Sequence, residues 1–180
     1  MDCQGEWVLF GHFSPNWRHT PKEHNMKTWR DFKIEVPDFA EIGRRLLLPY
    51  RPCVGYAFFA TLRKDGAPRL HPISVVIYKD HLYVIIPTTS PKCSDLLRDG
   101  RYAMQAFPPV PNDENEEFYI SGLANHIREP EIRQVLIDET KIIVADNEVL
   151  FELLLDRVMY PTLVDRGTSG EHPVHKKWRA

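Results

Sequence analysis

The sequence predicts a mainly β protein, a six-stranded antiparallel barrel flanked by short helices. Three observations predict it. The stretch from Gly55 to Pro87 holds three runs rich in Phe, Tyr, Val, Ile and Thr, whose broad or branched side chains pack well on a pleated surface. Arg63-Lys-Asp-Gly66 and Lys79-Asp80 separate these runs, and Asp-Gly is a strong hairpin signal because glycine tolerates positive φ. Three more strand-like runs follow, while helical patterns are few and short. Strands joined by hairpins leave open edges unless the sheet closes, hence a barrel. So small a barrel is filled by its own side chains, which leaves its outer surface or a subunit interface for any ligand.

In chain order, residues 1–28 form an arm carrying Trp7, Phe10, Phe13 and Trp17, too aromatic to be a free tail. His12, His19 and His24 in that arm lack compact metal-ligand spacing. A helix starts at Pro37, preorganised for a first helical position, with Asp38 and Glu41 in the first turn. Phe39, Ile42, Leu46 and Leu47 give it one apolar face, and Pro49 stops it. Strands are expected over 55–62, 67–78 and 81–87. A short helix capped by Ser90 or Ser94 ends at Asp99-Gly100. The fourth strand spans Arg101 to Phe107, with Tyr102, Met104 and Ala106 on one face and Ala103, Gln105 and Phe107 on the other. An acidic loop, Pro108 to Glu117, leads to the fifth strand, Phe118 to Ile127, in which Gly122 marks a bulge or a close approach. A helix from Pro130 to about Ile142 precedes the sixth strand, Val149 to Met159. There Phe151, Leu153, Leu155 and Arg157 take one side and Glu152, Leu154, Asp156 and Val158 the other. The tail, 160–180, ends near Trp178, which suggests that it docks.

One domain, 1–180, is the expectation for this length. The composition is ordinary for a globular chain, 43% hydrophobic and 27% charged. A formal net charge of −2 makes no case for nucleic acid, which wants a basic face. Cys3, Cys53 and Cys93 are odd in number and lack Cys-x-x-Cys spacing, against a disulfide framework or a structural zinc. No metal site is expected. No secretory pattern is visible and no apolar run nears the roughly 20 residues that span a bilayer. A cytoplasmic protein without membrane partners is expected.

Two clusters carry chemistry. Arg69, His71 and Ser74 lie on the second strand, and the spacing of two puts Arg69 and His71 on one face. Thr88, Thr89, Ser90 and Lys92 offer hydroxyls, backbone N–H groups at a helix start and one ammonium. A phosphate wants this mixture, and the adjacency of the second and third strands brings the clusters together. His172 and His175 lack a third metal ligand, and no nucleophile elbow, dinucleotide fingerprint or Walker loop is present.

The order Ala60-Thr-Leu-Arg-Lys-Asp-Gly66-Ala-Pro-Arg-Leu-His-Pro72, Ser90-Pro-Lys-Cys-Ser-Asp-Leu96 and Asp99-Gly-Arg-Tyr-Ala103 resembles the pyridoxamine 5'-phosphate oxidase-like family, the FMN-binding split β-barrels. The resemblance runs from about Tyr56 to Phe107 and more weakly through Phe118 to Ala124. Trp29 to Phe32, Pro37 and Arg44, and the ending Trp178-Arg-Ala180, resemble an uncharacterised branch. It implies a homodimer with FMN between subunits. It also implies phosphate contacts from His71, where the oxidase proper holds Arg, with Arg69 beside it, and from Thr88, Ser90 and Lys92. Val75 and Val76 would flank the isoalloxazine ring by their backbone, and Gln105 would lie near the flavin or the dimer contact. The tail does not match the oxidase's substrate signature, so a vitamin B6 oxidase is not implied. The implied function is an FMN-dependent oxidoreductase of a small molecule, with hydride transfer at the flavin N5. The alternatives are a non-catalytic flavin- or haem-binding protein, or an F420-dependent reductase with a basic groove to which Arg63, Lys64 and Arg101 contribute.

Overall fold

The computed structural model describes residues 26–106, 116–165 and 167–180. The arm's aromatics and histidines, Cys3, Phe107 and most of the acidic loop lie outside the described residues. Among those described, seven strands and four short helices follow in the order α1 (Trp29–Glu35), α2 (Pro37–Leu47), β1 (Val54–Leu62), β2 (Pro68–Tyr78), β3 (His81–Pro87), α3 (Pro91–Arg98), β4 (Arg101–Ala106), β5 (Tyr119–Ile127), α4 (Pro130–Thr140), β6 (Glu148–Val164) and β7 (His172–Arg179). No helix among them is long and apolar enough to cross a membrane.

The antiparallel sheet runs β3-β2-β1-β4-β5-β6-β7, and pairing of β3 with β6 closes the first six strands into the expected barrel. Both hairpin turns form: Gly66 has φ +85°, and Lys79 and Asp80 both take positive φ, the backbone that matches the twist of a two-residue hairpin. Asp65 Oδ1 accepts from the Ala67 N–H at 3.0 Å and holds the first turn. Alternation fills the barrel, as with Ala57 and Phe59 from β1, Ile73 and Val75 from β2, and Tyr102 and Met104 from β4.

The sequence reading is corrected at β6. This strand runs to Val164, five residues past the expected end, because its second half has its own partner: 157–164 pair with β7 while 148–152 pair with β3. The tail is thus a strand, too polar along Lys176 and Lys177 to have announced itself by hydrophobicity. Its Trp178 docks as expected, 9% exposed, with Nε1 donating to Glu35 Oε2 at 2.9 Å. The face assignment along β6 also changes. The register steps from Ser121↔Arg157 to Gly122↔Leu155, so Asp156 is an extra residue and alternation slips there. Val158 therefore joins Phe151, Leu153 and Leu155 inside, while Arg157 turns out.

α1 is an element that periodicity did not reveal, since seven residues are too few to show it. It is set by a capping box: Thr28 Oγ1 accepts from the Asp31 N–H at 3.2 Å, and Asp31 Oδ2 accepts from the Thr28 N–H at 2.9 Å. The box aims Trp29 and Phe32 into an edge-to-face aromatic group with Phe39, Phe118 and Trp178 that is continuous with the barrel core. Thr28→Ala is expected to cost about 1 kcal/mol and to lower the melting temperature by roughly 2–4 °C. A thermal melt checks this, and an unchanged midpoint would mean that packing of Trp29 alone seats α1.

Candidate functional site

The site grows from the start of β2. Arg69 and His71 are half-buried and share the inner parity of Ile73 and Val75, as the spacing of two requires. Leu70, Pro72 and Ser74 point outward and are exposed, so Ser74 lies on the opposite face from His71. Val75 and Val76 are buried, and both sit between ladder partners on β1 and β3.

β3 ends at Pro87, and Thr88, whose N–H donates to Asn147 O at 2.7 Å, turns the chain toward α3. Thr88 and Thr89 are exposed. Ser90 is the N-cap and Pro91 the first helical residue, and the Ser90 hydroxyl makes no cap bond. It is thereby spared at a helix start, where N–H groups and the dipole favour an anion. α3 lays Cys93, Asp95 and Leu96 against the barrel. This turns Lys92 toward β2, where Nζ reaches Pro72 O at a long 3.5 Å.

The electrostatics point one way. Burial first, then Lys92 and Arg69, pull the His71 imidazole below its ordinary pKa. Burial likewise lowers the Lys92 ammonium. His71 Nε2 is a buried atom without a hydrogen-bond partner among the described residues. Two basic groups are thus held where each is less easily charged, beside an unused donor position and a hydroxyl not engaged in capping. An anion would relieve all of this, since opposite charge favours the protonated forms. The donor set fits a phosphate.

Arg69 takes another place. Its Nε donates to Asp95 Oδ2 at 2.8 Å, and Asp95 also accepts from Thr61 Oγ1 at 3.0 Å and from Arg98 Nη1 at 3.2 Å. Burial pushes the Asp95 carboxyl up, but these bonds outweigh it and hold its pKa below the ordinary value. Sequence reading missed Asp95. The available signal was an acid set beside Leu96 on the apolar stripe of a short helix, where a buried charge requires partners. Cys93 is buried, which raises its thiol pKa and leaves it no nucleophile.

Gln105 lies apart, on the outer face. It stands opposite Phe58 on one side and Tyr119 on the other, in a concavity of about 870 Å3 that Leu70, Met159, Arg157, Lys177 and Arg179 also line. Arg101 is occupied by Asp99 at 2.6 Å, while Arg63 and Lys64 are exposed near the first hairpin turn. His172 and His175 are exposed on β7, where a spacing of three sends them to opposite faces.

No family model matches the chain, and no curated protein does. Solved structures do. A haem-binding protein from Mycobacterium smegmatis aligns with a TM-score of 0.53 at 15% identity, over 69% of this chain and 52% of that one. A conserved hypothetical protein from Mycobacterium tuberculosis aligns at 0.51 and 18% identity, over 70% and 81% of the two chains. General Stress Protein 26 from Bacillus anthracis aligns at 0.50 and 14% identity, over 67% and 92%. The likeness is one of fold. The chain spans about half the length of the haem-binding protein, and the barrel is what the three share with it.

Proposed function

We propose that this chain is a flavin-binding split-barrel protein that holds FMN by its phosphate and serves as an oxidoreductase of a small-molecule substrate. One observation carries it: the His71 Nε2, unpartnered among the described residues, set beside the desolvated Lys92 at the Ser90 helix start. His71, Lys92 and Ser90 would hold the phosphate, with Thr88 and Thr89 at its solvent side. Hydride transfer at the flavin N5 is the chemistry supplied when FMN is bound. The protein's part is to bind, orient and exclude water. The barrel fold shared with the solved structures and the sequence resemblance support the same reading. It extends to a homodimer, supported by Tyr56 and Leu70, which stay 55% and 64% exposed on the outer sheet face. Light scattering is expected to give twice the 21.0 kDa chain mass.

The test is titration of the purified protein with FMN and with riboflavin, which lacks the phosphate. FMN is expected to bind, and riboflavin to bind about a hundredfold more weakly. Equal affinities, or no binding of either, would overturn the proposal. A second reading, a haem-binding protein, is favoured by the likeness to the Mycobacterium smegmatis structure. A haem spectrum on addition of hemin, with no response to FMN, would select it.

His71 gives a pH signature. Its imidazole is depressed in the free protein and a bound phosphate raises it, so binding takes up a proton. His71 therefore strengthens binding most at low pH and loses that effect as pH climbs through the bound-state pKa. The phosphate's own titration cancels when wild type is compared with His71→Gln. The ratio of the two FMN dissociation constants, variant over wild type, is expected to grow as pH falls from about 8 to about 6. A flat ratio would remove His71 from the site.

A further inference from the structure

We propose that Asp95 is the positioning residue of the phosphate site, its buried carboxylate locking α3 to the β1–β2 hairpin and so setting Lys92 against His71. This rests on the phosphate reading above. Asp95 is 4% exposed, and its three donors come from three elements: Thr61 from β1, Arg69 from β2 and Arg98 from α3 itself. A carboxylate removed from water is tolerable only with such charge-assisted bonds, and they give it a defined geometry. Arg98 extends the joint, donating through Nη2 to Leu62 O at the end of β1. On each side of the joint stands a candidate phosphate contact. Lys92 is three residues from Asp95 on one helix, and His71 is two residues from Arg69 on one strand face. The frame Lys92–Asp95–Arg69–His71 thus spans the site, and Arg69 acts as a strut within it.

The rival assignment makes Arg69 a direct phosphate ligand restrained by Asp95, and the two differ in sign. For a strut, Asp95→Asn weakens FMN about tenfold and leaves riboflavin within about twofold. Arg69→Gln does the same, and the double variant is no worse than either single, because both break one joint. For a direct ligand, Asp95→Asn frees Arg69 and tightens FMN while Arg69→Gln weakens it, which overturns the proposal. Equal losses of FMN and riboflavin also overturn it, since they mark general loosening. Where Asp95→Asn fails to fold, Arg98→Gln serves, removing the outermost donor; about threefold weaker FMN with unchanged riboflavin is expected, and unchanged FMN overturns the proposal. Failure of the phosphate reading itself is visible beforehand, in a wild type that does not prefer FMN over riboflavin, and it removes the role of Asp95 with it.

Discussion

Gly122→Ala is expected to destabilise the protein by about 3 kcal/mol, the upper end for one added carbon in a packed interior. A Cβ at Gly122 would stand 1.9 Å from Leu154 O, 2.9 Å from Leu154 C and 3.1 Å from the Asp156 nitrogen. All three are backbone atoms, so no rotamer change makes room. The strands β5 and β6 would have to part at the point where their register shifts around Asp156. That pairing holds the strand on which the barrel closes, since β6 also pairs with β3 and carries β7. A drop of roughly 6–12 °C in melting temperature follows for a chain of this size. Gly66→Ala is the control. Gly66 has φ +85° but open space around the added carbon, so only the left-handed backbone is charged, roughly 1–2 kcal/mol. If the two variants melt together, the close approach at Gly122 does not exist in solution.

Lys92→Met is expected to weaken FMN binding about thirtyfold, near 2 kcal/mol for one charge-assisted bond to phosphate, with riboflavin unchanged. Methionine keeps the apolar stem that packs at the start of α3 and removes only the charge. The effect on the free protein has the opposite direction. Burial lowers the Lys92 pKa, so the folded chain binds that proton less readily than the unfolded one. At neutral pH the ammonium therefore opposes folding, and this opposition is lifted only as pH rises toward the unfolded pKa. Without FMN, Lys92→Met melts at or above the wild-type temperature. A variant that loses both stability and FMN affinity would make Lys92 a packing residue and move the phosphate elsewhere.

Much of the fold was legible because its signals are local. Asp65-Gly66, Pro37, Ser90-Pro91 and Glu129-Pro130 each announce a turn or a helix start within a few residues. The two-residue alternation of β4 put Tyr102, Met104 and Ala106 on one face without reference to any other strand, and that face is the buried one. β7 was not legible, because its exposed lysines and histidines give no period-two signal of burial and its place is set by pairing with the far half of β6, from Val164↔His172 to Arg157↔Arg179. The slip at Asp156 was equally hidden: an extra residue on β6 is defined only against β5.

The candidate site divides along the same line. Sequence alone determined that His71 and Arg69 share a strand face, that Lys92 follows a helix start two residues after Ser90, and that the third strand leads from one to the other. These follow from periods and caps, which the chain carries in its own local chemistry. Tertiary structure alone decided which strand face is outward, and so that Ser74 and Gln105 lie there, that Arg69 spends its Nε on Asp95, and that His71 keeps a nitrogen unsatisfied among the described residues. The physical reason is burial: whether a charge is a ligand or a strut depends on which groups lose water together, and that is settled only when α3 closes over β1 and β2.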